Sequence, residues 1–300
     1  MRIMKHFAAV LIIGVLVLTA AAQDQPFSIN LDTNLVNLLA TVTDKKGRLI
    51  SNLTKDDFIV EEDGKRQEVL KFSKESELPL TLAMLMDTSG SVSDVLPEEK
   101  ETAISFINTI LTRKDLALVI KFDHYAKIVQ DFTEDKSRME DAIDSVRKTG
   151  DGTALYDALV LAARDHLALE AGRKAIILIS DGKDEGSSHS QRNALFAVHE
   201  ADAVIYSISN VLDRNPFGYG DPGVLKNLSL ETGGAAYFIH RTSDFRDIFD
   251  QIANELRSQY SLAYKSTNSK KDGKFRAVKI TIRDASLTAR TRRGYYGPTD

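Results

Sequence analysis

From residue 80 to residue 258 the chain alternates between two hydrophobic periods. Short apolar runs predict strands at Leu80–Met86, Leu116–Phe122, Ala126–Phe132, Lys174–Ile179, Ala203–Ile208 and Ala235–Phe238. Between them, apolar residues recur at the three-to-four spacing of an amphipathic helix. The predicted helices are Pro97–Leu111, with its proline in the first turn, then Lys136–Arg147, Ala154–Ala168, Gln191–Ala201, Gly223–Thr232 and Ser243–Arg257. Only a short polar turn separates Leu116–Phe122 from Ala126–Phe132, so these two strands should pair antiparallel. Alternation of this kind predicts an α/β fold, a doubly wound and mostly parallel sheet with helices on both faces.

The flanks read differently. Ser28–Ser73 is strand-like: Leu35–Val42 is an apolar run, Asp44–Gly47 a turn, and Phe58–Glu62 and Val69–Phe72 flank the turn Asp63-Gly64-Lys65. Thr54–Asp57 fits one helical turn. Strand patterns return at Gln259–Tyr264, Phe275–Arg283 and Leu287–Arg293. Neither flank is long enough to bury a core alone. Together they are expected to form one β-sandwich-like accessory domain from 27–78 and 259–297, with the α/β domain, 79–258, inserted between its halves. The first strand of the insert then enters, and its last helix leaves, at the same end of the sheet, so the joints near Pro79 and Ser258 should be neighbours.

Composition narrows the function classes. A net charge of −4 gives no electrostatic footprint for nucleic acid. The absence of cysteine excludes disulfide frameworks, thiolate metal sites and a lipid-modified cysteine. At the amino terminus, Arg2, Lys5 and His6 precede the apolar run Phe7–Ala22, which ends in Ala20-Ala21-Ala22. A basic region, an apolar region and a small-residue cleavage site predict a signal peptide over 1–22. An uncleaved anchor is the alternative, but a span needs ~20 apolar residues and this run is shorter. No second run is long enough to span a membrane. An exported chain without disulfides suits a bacterial periplasm or exterior.

The candidate chemistry begins at Asp87-Thr88-Ser89-Gly90-Ser91, directly after the first predicted strand of the α/β segment. It places one carboxylate and two hydroxyls at a strand end, with a glycine for the turn. Such hard oxygen groups suit Mg²⁺ or Mn²⁺ rather than Zn²⁺. Gly152-Thr153 precedes a predicted helix, and Ser180-Asp181-Gly182 follows the strand Lys174–Ile179. Taken singly, these are a loop with capping hydroxyls, a helix N-cap and a turn. In a doubly wound sheet of order 3-2-1-4-5-6, however, ligands bind where the strand order reverses, between the first and fourth strands. Asp87 ends the first, Asp181 ends the fourth, and Thr153 lies on the loop entering the helix before the fourth. The three motifs should therefore meet in one crevice.

This trio resembles the metal-ion-dependent adhesion site of von Willebrand factor A domains, the family that includes integrin inserted domains. The resemblance covers roughly Leu80 to Ser258. It implies that Ser89, Ser91 and Thr153 coordinate a Mg²⁺ or Mn²⁺ ion through their hydroxyls, while Asp87 and Asp181 act through waters and hydrogen bonds. It also implies a function: an exported, metal-dependent protein-binding or adhesion module, not an enzyme, whose cation takes an Asp or Glu side chain of a protein partner. One departure from the family pattern is Asp151, which stands where a second glycine is common. In related A domains the last helix moves together with the metal site; here such movement would pass into the strand starting at Gln259.

Phe217 and Tyr219, in the glycine-rich loop Asp213–Gly223, are candidate partner contacts, or rings that pack onto the body. Asp184 and Glu185 read as solvated loop charges rather than a second cation site. Arg290, Arg292 and Arg293 read as a solvated strand end. No histidine pair has metalloprotease spacing. Two alternatives to the binding module are a phosphatase with Asp87 as nucleophile and a structural A domain without metal. The first would want a second aspartate where Ser89 stands.

Overall fold

The two hydrophobic periods separate the chain into layers. A computed structural model describes residues 35–74, 78–89, 95–150, 152–211 and 220–299. The first flank supplies β1 (Leu35–Asp44), β2 (Phe58–Glu62), β3 (Lys65–Gln67) and β4 (Val69–Lys74). The alternating segment supplies β5 (Leu80–Asp87), β6 (Leu116–Phe122), β7 (Ala126–Thr133), β8 (Arg173–Ser180), β9 (Ala203–Ser209) and β10 (Ala236–Phe238). The second flank supplies β11 (Tyr260–Lys265), β12 (Phe275–Ile282), β13 (Leu287–Arg290) and β14 (Gly294–Tyr296). The helices are α1 (Leu96–Ile110), α2 (Lys136–Ser145), α3 (Leu155–Val160), α4 (Gln191–Glu200), α5 (Pro222–Thr232) and α6 (Asp244–Ser258).

The central sheet has the order β10-β9-β8-β5-β6-β7. All its pairings are parallel except β6 with β7, which is antiparallel as the short turn between them requires. All eight residues of β5 are buried, as expected for a central strand covered on both faces. Its side chains alternate between two cores. Leu82, Met84 and Met86 meet Phe106 and Ile107 of α1, Met139 and Ile143 of α2, and Phe245 and Phe249 of α6. Ala83 and Leu85 face the opposite core, with Leu155 and Leu159 of α3, Val198 of α4 and Leu228 of α5. Each large apolar side chain so buried contributes about 1.5–3 kcal/mol relative to exposure.

The flanking segments form two further antiparallel sheets, β13-β1-β11-β4 and β14-β12-β2-β3. They share a core in which Leu38 and Val42 of β1 and Tyr260 and Leu262 of β11 meet Phe58 and Val60 of β2 and Ile280 of β12. The strands of the two flanks thus pair with each other, and Asn34–Asp300 forms one compact unit. At the joint, Lys74 of β4 stands opposite Tyr260 of β11. Arg173 binds both connections there, through Leu256 O at 2.5 Å and Leu78 O at 3.2 Å. This joint is at the opposite end of β5 from Asp87, roughly 23 Å away at 3.3 Å per residue.

Three details differ from the expectations. The helix expected over Ala154–Ala168 is α-helical only to Val160; a wider π-type turn over Leu161–His166 and a 3-10 turn over Leu167–Leu169 complete it. The widened turn keeps Ala163 and Leu167 fully buried on one face. The strand expected over Leu287–Arg293 stops at Arg290, where β13 pairs with β1; a separate strand, β14, follows and joins the other sheet by pairing with β12. The arginines around that crossing are not a solvated strand end. Arg290 pairs with Glu255 of α6, Arg292 with Asp202 at 2.5 Å and with Asn37 O at 2.8 Å, and Arg293 with Glu231 of α5 at 2.6 Å. Each finds a carboxylate on the α/β part, so the cluster fastens the accessory sheets to it.

Candidate metal centre

Asp87 closes β5 and is wholly buried. Its Oδ1 accepts the Ser89 N–H at 2.9 Å, and its Oδ2 accepts the Ser180 hydroxyl at 2.8 Å. Ser180 closes β8, so one hydrogen bond ties the first and fourth strands of the central sheet at the point of order reversal. The same hydroxyl accepts the Gly182 N–H at 3.1 Å, folding the Ser180-Asp181-Gly182 turn back onto the strand end. Gly182 has φ +87°, and a Cβ there would lie 2.3 Å from Asp221 O. Only glycine fits a left-handed residue so close to backbone. Asp181 is buried; its Oδ1 accepts the Lys183 N–H at 2.9 Å and its carbonyl the Asp221 N–H at 2.7 Å.

The loop carrying Thr153 lies alongside. Thr149 N donates to Thr88 O at 3.1 Å, and Ser89 pairs with Gly150 in a short parallel bridge. Asp123, just past the end of β6, holds this loop from the other side. Its Oδ2 accepts the Thr149 hydroxyl at 2.5 Å and its carbonyl the Ala154 N–H at 2.5 Å. Burial works to raise the Asp123 pKa, but the bonds from Thr149 and Tyr125, with the His124 charge, outweigh it and hold the carboxyl below its ordinary range. Thr153 O accepts the Glu185 N–H at 2.9 Å. Asp184 is not a solvated loop charge: it accepts the Tyr156 N–H at 3.2 Å and the Ser187 hydroxyl at 2.5 Å, capping the start of α3 directly after Thr153. The Thr153 hydroxyl takes part in none of these bonds, although Thr153 is only 4% exposed.

Asp87, Ser89, Thr153 and Asp181 thus stand on three interlocked loops at the carboxyl ends of the sheet's central strands. Ser91, Phe217, Tyr219 and the departure at Asp151 lie outside the described residues, as does the 1–22 segment. Sequence reasoning missed Asp123 and Thr149, which brace the loops, and two residues behind them, Glu99 and Asn210; it noticed Asp184 but not its bracing role. Asp123 had a legible signal, an acid just past the end of a strand next to β5. Glu99 had another: it falls on the same helical stripe as Ala103, Phe106 and Ile110 of α1, an acid on an apolar face.

The electrostatics are one-sided. Burial pushes Asp87 up to about 6; hydrogen bonds from Ser89 and Ser180 oppose the shift, and the Asp181 charge adds to it. Glu99 is wholly buried, and burial first, then the Asp87 charge, raises it well above the ordinary carboxylate range, with the Asn210 side chain opposing. None of the largest influences on either carboxyl is a basic side chain. A buried negative site of this kind fits a cation. Among the described residues no three His, Cys, Asp or Glu side chains gather as a ligand cage. The donor set is instead hydroxyls with flanking carboxylates, which fits a hard divalent cation that keeps part of its water.

Residues 82–183, which contain all three loops, match the von Willebrand factor type A domain family. An uncharacterized protein of Synechocystis sp. is 28% identical over 188 residues, covering 59% of this chain and 42% of that protein. Among solved structures, proximal thread matrix protein 1 of the mussel byssus superposes with a TM-score of 0.53 at 17% identity, covering 65% of this chain and 51% of that one. A second structure of that mussel protein, with a zinc-occupied MIDAS motif, also gives a TM-score of 0.53, at 18% identity, covering 65% of this chain and 50% of that one. The chain spans about half the length of these relatives or less. The fold is a von Willebrand factor A-like α/β fold with additional antiparallel sheets. Among the described residues, no helix is long and apolar enough to cross a membrane.

Proposed function

We propose that this protein is an exported, metal-dependent protein-binding or adhesion module, made of a von Willebrand factor A domain over 79–258 inserted into an accessory β domain of 27–78 and 259–297. The observation that carries the reading is the meeting of three loops around buried Asp87, whose carboxyl is raised by burial and by the Asp181 charge and is opposed by hydrogen bonds from Ser89 and Ser180. Ser89, Ser91 and Thr153 offer hydroxyl ligands. Asp87 and Asp181 orient the loops and accept hydrogen bonds from bound water. Mg²⁺ or Mn²⁺ held this way would supply a positive charge that its neutral ligands leave largely uncompensated, open to a carboxylate of a protein partner. Phe217 and Tyr219 are candidates to flank that partner. The zinc-occupied motif of the mussel relative supports the same use of the crevice.

Catalysis is not part of the proposal. Asp87 has no exposed surface, and both of its carboxylate oxygens are already engaged. That disposition suits a fixed structural acid rather than a nucleophile facing a substrate. Export rests on the amino-terminal pattern of residues 1–22, which places the module in a bacterial periplasm or outside the cell.

Calorimetric titration with MgCl₂ or MnCl₂ tests the reading. Wild-type protein is expected to bind one cation with a roughly millimolar-to-micromolar dissociation constant, as open oxygen sites do. Asp87→Ala and Asp181→Ala should abolish the heat of binding. Equal binding by wild type and both variants would remove the site. Capture of a protein from envelope extract should then be lost with EDTA and with Ser89→Ala.

A further inference from the structure

Behind the crevice stand two side chains that nothing above uses. Glu99 lies one turn into α1, and Asn210 directly follows β9. They are 0% and 1% exposed. Both carboxylate oxygens of Glu99, and both the oxygen and the nitrogen of the Asn210 amide, lack a hydrogen-bond partner of good geometry among the described residues. The two side chains are nonetheless near each other, and Glu99 is near enough to Asp87 for the two carboxyls to repel. Asn210 is tied to the site by its backbone, whose N–H points to Ser180 O at 3.4 Å.

Four buried polar atoms left in this state are costly. An unpaired buried amide or carboxyl costs about 1–3 kcal/mol, more if it is charged. Glu99 could have been replaced by an apolar residue in keeping with its stripe on α1, which would remove the cost. Glu99 feels the Asp87 charge, and a cation held beside Asp87 would turn the same groups into favourable neighbours. Since Glu99, Asp87 and Asp181 do not gather into a cage of their own, Glu99 is suited to act one layer out from the cation rather than on it. Residues one layer out orient the inner ligands and tune metal binding.

We propose that Glu99 and Asn210 form the inner wall of the cation site: they hold hydrogen-bonded water between α1 and the end of β9, and through it position Asp87 and the hydration of a bound Mg²⁺ or Mn²⁺. They are positioning residues. The inference rests on the proposed cation site. It adds a third carboxyl to that site and makes α1 and β9 part of the cation's support.

The test is Mn²⁺ titration at neutral pH of the full chain, with Glu99→Gln and Asn210→Ala beside wild type, each also melted with EDTA and with Mn²⁺. Glu99→Gln keeps the shape and replaces the carboxyl with a neutral amide. It is expected to weaken Mn²⁺ binding about 10–100-fold, the usual effect of losing such an outer group, while raising the melting temperature in EDTA. Asn210→Ala should weaken binding in the same direction. A purely structural Glu99 would change the EDTA melt and leave Mn²⁺ affinity as in wild type, and that result overturns the inference. If Glu99→Gln does not fold, Asn210→Ala decides by the same readout. If wild type itself takes up no Mn²⁺, the cation site and its inner wall fall together; if wild type binds and the variants bind equally, only the inner wall falls.

Discussion

Asp87→Asn should make the metal-free protein more stable at pH 7.5 and less stable than wild type once Mn²⁺ is added. Burial raises the Asp87 pKa to about 6 in the folded protein, against an ordinary value of 3.8. A group whose pKa is raised on folding contributes stability that is complete below the unfolded value and is lost as pH rises through the folded one. At neutral pH the metal-free protein therefore holds a buried charge whose cost is on the order of 2–3 kcal/mol. Asparagine removes it and can still accept the Ser89 N–H and donate to the Ser180 hydroxyl. Mn²⁺ at a thousandfold excess over its dissociation constant returns about 4.1 kcal/mol to the wild type alone. Urea melts in EDTA and in Mn²⁺ should show the order of stability reversing; the same order in both would contradict the account.

The same variant should expose a second titration. His199 is 6% exposed, and burial, with the Arg292 charge, lowers its pKa to about 4. A histidine lowered on folding contributes stability present above its ordinary value of 6.5 and lost as pH falls through about 4. Between pH 4 and 6 its slope opposes that of Asp87. Acidification from pH 6 to pH 4 in EDTA should therefore cost Asp87→Asn more stability than it costs wild type, read from urea melts at each pH.

The other large effect is expected at the fastening of the accessory sheets. Arg290 pairs with Glu255 of α6 and donates from Nε to Gly233 O at 3.1 Å. Glu255 is 3% exposed and also accepts the Tyr237 hydroxyl at 2.8 Å. Arg290→Ala leaves that carboxylate buried without its cation, which typically costs about 3–5 kcal/mol. Since Arg290 is itself partly exposed, the lower end applies, about 3 kcal/mol. Combining it with Glu255→Gln should recover more than half of the loss, because the stranded charge is then gone. A double-mutant cycle in urea gives the answer; simply additive losses would show that the pair is not coupled.

The layers of this fold were legible because period and burial coincide. The eight-residue run of β5, apolar on both faces, can only be a central strand, and the apolar stripe of α6 fixes which face it covers. The meeting of Asp87, Ser89, Thr153 and Asp181 was legible through strand order, since the crevice follows from where the order reverses. What was not legible depends on pairings between distant residues. The arginines read as a solvated strand end because each carboxylate partner lies on another element, Glu255 being 35 residues from Arg290 and Asp202 being 90 from Arg292. Asp184 read as a solvated charge because its role as a cap needs the backbone of Tyr156. The break at Leu161 carries no proline or glycine, so only the packing of Ala163 and Leu167 reveals it.

The central claim is that the three loops hold a divalent cation. Crystals soaked in millimolar MnCl₂ and measured near the manganese absorption edge test it most directly. The account predicts one anomalous peak in the crevice between Asp87, Ser89, Thr153 and Asp181, lost in Asp87→Asn crystals treated identically. A map with no peak there, or with manganese bound only elsewhere on the protein, would contradict it.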